Sequence, residues 1–174
     1  MRTKQVDSNQ KYVSNLTHVV FLIYLILLVW LIIFKFDFAL PQWRESSLNL
    51  IPFAESVQVN GQLELFELIA NAIAFMPLGI YLMIYDFPNT IFKKILLAMF
   101  ISVIFETVQF VCAIGASDIT DVITNTTGAA IGILVFMLLQ YVFKDRTEKV
   151  CNLMFIALYV LFFILATILL LANM

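Results

Sequence analysis

Five apolar runs long enough to cross a bilayer recur in this chain, at about residues 17–36, 68–85, 94–113, 121–143 and 152–172. A hydrocarbon core ~30 Å thick needs about 20 apolar residues of helix to cross it. Irregular backbone cannot face lipid there, because its N–H and C=O groups would have no partners. The expected fold is therefore an all-α, multi-pass transmembrane helical bundle of about five spans. The composition agrees: 63% of the 174 residues are hydrophobic and 13% are charged. The first run is long, and "FDFALPQW" after it lacks a small-x-small cleavage site. It is expected to stay as an anchor rather than leave as a signal peptide.

Loop charge sets an expected orientation. Arg2, Lys4 and Lys11 precede the first run, Lys93 and Lys94 lie between the second and third, and Lys144, Arg146 and Lys149 lie between the fourth and fifth. Only Lys35 and Arg44 fall on the other side, so eight of the 10 basic residues share one side. By the positive-inside rule that side is cytoplasmic, which puts the N-terminus inside and the C-terminus outside. The chain divides into a cytoplasmic segment (1–16), a four-span core (17–143) and an inner loop with a fifth span (144–174). The formal charge of −2 and the lack of a long basic tract give nucleic-acid binding no support. His18 is the single histidine and cannot supply a usual zinc ligand set. Cys112 and Cys151 fall near opposite ends of their spans and are not expected to pair.

The outer first loop, about residues 37–67, carries Asp37, Glu45, Glu55, Glu64 and Glu67. Its piece "NLIPFAESVQVNGQ" could be an ordinary loop or could dip into the interface through Leu50, Ile51, Pro52 and Phe53.

Polar residues sit where burial is costly. In the third span Glu106 and Gln109 are three apart, hence on one helical face, with Met99, Ser102 and Ala113 extending the stripe. A carboxylate at membrane depth costs about 2.5–3.5 kcal/mol on insertion scales, so such a group faces protein or a wet cavity. In the fourth span Asp118, Asp121, Asn125, Gly128 and Gly132 alternate steps of three and four, which makes one stripe. Gly128-x-x-x-Gly132 allows close approach of another helix. In the second span Asn71 lies at similar depth, and Pro77 removes the hydrogen bond to the carbonyl of Ile73, a kink that could open a pocket. Asn71, Glu106, Gln109, Asp118, Asp121 and Asn125 are thus expected to converge in the outer leaflet. Each also has a structural reading. Asp118 is a good N-cap, Asp121 suits the helix dipole, and Asn71 and Gln109 could join helices. Thr120, Thr124, Thr126 and Thr127 are read as packing or back-bonding residues.

The blocks "NLIPF", "NAIAFMPLG", "FETVQ" and "SDITDVITNTTGAAIG" together resemble the VanZ-like family of bacterial membrane proteins, over roughly residues 20–143. The matching positions are Pro52 and Phe53; Asn71, Pro77 and Gly79; Glu106 and Gln109; and Asp118, Asp121, Asn125 and Gly128. Many members carry arginine after the glycine that is Gly115 here, whereas this chain has Ala116. The family is named for a protein linked to resistance to the glycopeptide teicoplanin. The resemblance implies a small multi-pass protein of the cell envelope, with no settled activity to carry over.

Three functions compete. In the first, the polar site binds an envelope precursor head group or a glycopeptide through Asn71, Gln109, Asp118 and Asn125. In the second, a membrane enzyme on a lipid-linked phosphate uses Glu106 as general base and Asp121 as its catalytic partner, with Mg²⁺ held by the D-x-x-D pair. In the third, the site belongs to an ion pathway, but no ionisable residue continues into the cytoplasmic half of spans two to four. The lipid bilayer is the one partner common to all three.

Overall fold

The structure, a computed structural model, describes residues 13–34, 48–53, 65–112 and 117–172. The expected contributions of Arg2, Lys4, Lys11, Lys35, Asp37, Arg44, Glu45, Glu55, Glu64, Ala113 and Ala116 lie outside those residues.

Five α-helices account for nearly everything described: α1 (Asn15–Phe34), α2 (Leu65–Ile84), α3 (Ile91–Val111), α4 (Ile119–Phe143) and α5 (Thr147–Ala172). α1, α2 and α3 are each long and apolar enough to cross a bilayer, and so is the run Ile119–Ile168. That last run covers 50 residues, about 75 Å if it were one straight helix at 1.5 Å per residue. It is not one helix. Lys144 ends α4 at φ 50°, and a 3-10 turn at Lys144–Arg146 leads into α5. The charges Lys144, Asp145 and Arg146 are all exposed at this turn. α5 therefore starts about five residues earlier than its hydropathy implies, because the polar stretch Thr147–Asn152 is helical as well.

Glycine determines how the bundle packs. A Cβ on Gly128 would collide with the backbone of Ala72, one on Gly132 with Met76, and one on Gly79 with Ala129. Two helices running in the same direction thus touch backbone to backbone. Lipid offers no hydrophobic drive to push helices together, so close van der Waals contact of this kind is the main source of association. The rest of the core is aromatic and aliphatic. α1 buries Val20, Tyr24, Leu28 and Ile32 along one face. Phe21, Tyr24, Tyr81 and Phe155 stack against one another between α1, α2 and α5.

Each end of the bundle is fixed by polar contacts. At one end Glu148 of α5 accepts from the Ser14 backbone N–H at 2.9 Å and from the Thr17 hydroxyl at 2.6 Å. An acid from another helix therefore sits at the N-terminus of α1, where the helix dipole favours it. Asn152 donates to Thr17 at 2.7 Å, and His18 bonds the Ser14 carbonyl and packs edge-on against Tyr85. Lys94, counted above as a loop charge, is 2% exposed in the first turn of α3; it donates to Asp86 at 2.9 Å and to the Pro88 carbonyl. Cys112 is exposed and Cys151 buried, and no disulfide joins the two.

Replacing Gly128 or Gly132 by leucine should cost at least about 1–3 kcal/mol, since overpacking here meets backbone rather than a movable side chain. Thermal unfolding in detergent should register the loss for both variants, and Ala157→Leu on the exposed side of α5 should leave the midpoint unchanged.

Candidate functional site

The opposite end of the bundle gathers the last turns of α1 and α3, the first turns of α2 and α4, and a piece of the segment after α1. Leu48–Asn49 (β1) pairs in parallel with Ser117–Asp118 (β2), with Leu48 opposite Ser117 and Asn49 opposite Asp118. These four residues tie the first loop to the start of α4.

Asp118 is the centre of this tie. It caps α4, accepting at Oδ1 from the Thr120 backbone N–H at 2.8 Å and the Thr120 hydroxyl at 2.7 Å. Its Oδ2 accepts from the Asn49 amide at 3.2 Å. Its own backbone N–H donates to Glu106 Oε2 at 2.9 Å. The Thr120 oxygen in turn accepts from the Phe53 backbone N–H at 2.9 Å, while Asn49 Oδ1 accepts from that of Ile51 at 3.0 Å. Phe53 is held at φ 62°, a left-handed conformation that costs a side-chain-bearing residue about 1–2 kcal/mol. The chain Glu106–Asp118–Thr120–Phe53 thus links α3, α4 and the loop.

The other expected site residues separate into three further contacts. Asn71 of α2 donates to Asp121 Oδ1 at 2.7 Å, one turn below Asp118. Asn125 donates to Ser102 of α3 at 2.9 Å. Gln109 donates to the carbonyl of Ile32 in α1 at 2.9 Å, so it bonds to α1 and not to α4. Glu106, Gln109, Asp121 and Asn125 are all buried. The buried face of α3 runs Lys94, Ala98, Ser102, Glu106, Gln109; Met99, placed on that stripe by spacing alone, is 40% exposed.

A cavity of about 230 Å³ opens beside this network, between α3 and α4 and beneath β1. Glu106, Ser117 and Asp118 line its polar side; Val103, Phe110, Val122, Leu48 and Leu50 form its apolar walls. No residue of α2 lines it. α2 stays helical through Pro77, so the pocket lies elsewhere than at the proline.

The spacing of Asp118 and Asp121 left a shared cation open. Asp118 is instead occupied by Thr120 and Asn49 through both oxygens, and Asp121 receives Asn71. Among the described residues, no three His, Cys, Asp or Glu side chains form a metal-holding group. Asn49 and the bridging role of Thr120 were missed above. Asn49 lies in a stretch without periodicity, and its one signal is position, two residues before the "IPF" of a quoted block. Thr124, Thr126 and Thr127 do back-bond to their own helix, at 3.2, 2.7 and 2.7 Å.

These features define a helical membrane protein with a polar layer and a small amphipathic cavity at one end of the bundle. The family model for VanZ/LLP1 matches residues 21–144. Protein VanZ of Enterococcus faecium is 32% identical over 141 residues, which cover 79% of this chain and 84% of that protein. The chain belongs to the VanZ/LLP1 family. No solved structure matches it.

Asp118→Ala should remove a cap, a cost of about 1–2 kcal/mol, and free Asn49 together with it. A cycle with Asn49→Ala, read by thermal unfolding, should show the double variant less destabilised than the sum, because both changes break the same contact.

Proposed function

We propose that this chain is an envelope protein of the bacterial cell membrane whose polar layer faces the outer leaflet and binds the polar part of an envelope precursor or a glycopeptide, contributing to resistance to teicoplanin-class antibiotics. The observation that carries the binding reading is the pairing of a cavity with buried carboxylate chemistry: Glu106, 5% exposed, lines a space of about 230 Å³. A carboxylate is expensive at this depth and is kept where it faces protein or a ligand. The similarity to Protein VanZ supports the envelope role. The metal-dependent enzyme on a lipid-linked phosphate is the weaker alternative, since Asp118 already accepts from Thr120 and Asn49 through both oxygens and Asp121 accepts from Asn71.

The orientation follows from charge. Contacts among Ser14, Glu148, His18 and Tyr85 gather the start of α1, the end of α2 and the start of α5 at one end. Lys93, Lys94, Lys144, Arg146 and Lys149 belong to that same end. The positive-inside rule makes it cytoplasmic, with the N-terminus inside and the C-terminus outside. In a background without native cysteines, a cysteine at Gln58 should react with an impermeant thiol reagent added to intact cells. Cysteines at Lys93, Asp145 and Arg146 should react only after permeabilisation. Labelling of Lys93 in intact cells would invert the protein and move the polar layer to the cytoplasm.

Glu106→Gln and Asp121→Asn keep an acceptor for Asp118 N–H and for Asn71, and interhelical hydrogen bonds in membranes average only about 0.6 kcal/mol. Abundance should therefore stay near normal. Complementation of a deletion strain under glycopeptide challenge should be lost in both variants, and the pair should be no worse than either. Full complementation by both single variants at normal abundance would refute the charged-site reading.

A further inference from the structure

The walls of the cavity point to the kind of molecule it receives. On α3, Val103, Thr107 and Phe110 recur at steps of four and three and form one face. That face borders the buried Glu106 on one side and the lipid-facing surface of α3 on the other. Val103 and Phe110 are 43% and 39% exposed, although both lie inside a segment apolar and long enough to span the bilayer. With α3 read as a span, what these side chains expose faces the cavity mouth and the hydrocarbon beside it. Across the gap, Ile119 and Val122 of α4 supply the facing wall. Leu48 and Leu50 cover the top, held there by the β1–β2 pairing and by the bonds of Asn49 and Phe53 to Asp118 and Thr120. Leu50 is 66% exposed, and Ile51 beside it 69%. The groove thus borders the bilayer-contacting surface and is apolar along most of its length; Thr107 within it spends its hydroxyl on the Val103 carbonyl, and the polar end lies at Glu106, Ser117 and Asp118.

A soluble polar ligand gains little from such walls. A hydrocarbon chain can slide in from the bilayer without crossing water, and it fills apolar space that lipid packing would otherwise fill less well. We propose that this groove is a lateral port for one hydrocarbon chain of a membrane amphiphile. The chain lies against Val103, Thr107, Phe110 and Val122 beneath Leu48 and Leu50, and its head group reaches the polar layer at Glu106 and Asp118. The head-group half rests on the binding reading above; the chain half rests on the groove alone. The ligand class is therefore an acyl- or prenyl-bearing molecule partitioned into the membrane.

The test uses the full chain in liposomes containing a trace of a long-chain fatty acid that carries a diazirine on its tail. After irradiation, labelled positions are read by peptide mass spectrometry. Labelling at Val103, Thr107, Phe110 and Val122 should exceed that at Phe100 and Ile104 several-fold, although those two α3 residues are 61% and 46% exposed. Excess unlabelled fatty acid should compete it away. Val103→Phe and Thr107→Phe, two separate fillings of the groove at half-open positions, should each reduce the Val122 label to the control level without lowering the unfolding midpoint. Groove labelling equal to that at Phe100, or labelling that no competitor displaces, would show ordinary lipid contact and overturn the port. Glu106→Gln separates the two halves. Groove labelling kept with complementation lost supports both. Groove labelling kept with complementation intact leaves the port and removes the charged site. Groove labelling at the control level in the unaltered protein removes the port whatever Glu106→Gln does.

Discussion

The contact of α2 with α4 through Gly79, Gly128 and Gly132 determines where everything else can go. Once two helices meet backbone to backbone, their rotation and relative height are nearly fixed, because any side chain larger than hydrogen is excluded at three points. Asn71 then falls level with Asp121 and bonds to it at 2.7 Å. The face of α4 that bears Asn125 is turned toward α3, where Ser102 meets it at 2.9 Å. α3 has no comparable glycine seam with α4 and stands off from it near its end. The space it leaves is the cavity.

The polar residues divide their work in a way that residue type does not disclose. Asn71, Ser102, Gln109 and Asn125 join helices pairwise, at small individual gain. Asp118 serves the backbone first, as a cap, and only then the loop. Glu106 is different, since its bond to the Asp118 backbone N–H leaves it on the cavity lining. A carboxylate at membrane depth is costly, and its place on that lining is what supports the binding reading proposed above. Among the described residues, no protein group donates to the buried amide oxygens of Asn125 and Gln109. Both lie in the layer next to Glu106.

The helices were legible because bilayer thickness sets a length that apolar runs must meet, and no tertiary detail alters that. The α4 stripe was legible for a similar reason: a regular period names a face. What a period cannot name is the neighbour. Gln109 shares a face with Glu106, yet the two bond to different elements, α1 and the α4 cap. Lys94 counted as a loop charge by hydropathy, but its long stem lets it lie buried while its ammonium reaches Asp86. Glu148 gave no signal, because nothing in a sequence tells that an acid in α5 will sit at the N-terminus of α1. Asn49 and Phe53 belong to a non-periodic stretch, where only contacts with distant residues give structure.

The position of the cavity follows from the same seam. Pro77 removes a hydrogen bond within α2, and in isolation that favours a bend near Asn71. In the bundle, Gly132 and Gly79 press the backbones of α2 and α4 together on either side of Pro77. Tyr24 also donates its hydroxyl to the Ala74 carbonyl at 2.9 Å, one residue beyond the Ile73 carbonyl that Pro77 leaves without its helical bond, and so ties this turn to α1. Flexibility at the proline is thereby suppressed by packing, and α2 continues as helix. The opening lies instead between α3 and α4, a junction without a glycine seam. There the loop carrying Leu48 and Leu50 forms its cover, and that cover is anchored through Asn49 and Thr120 to the same aspartate whose backbone holds Glu106.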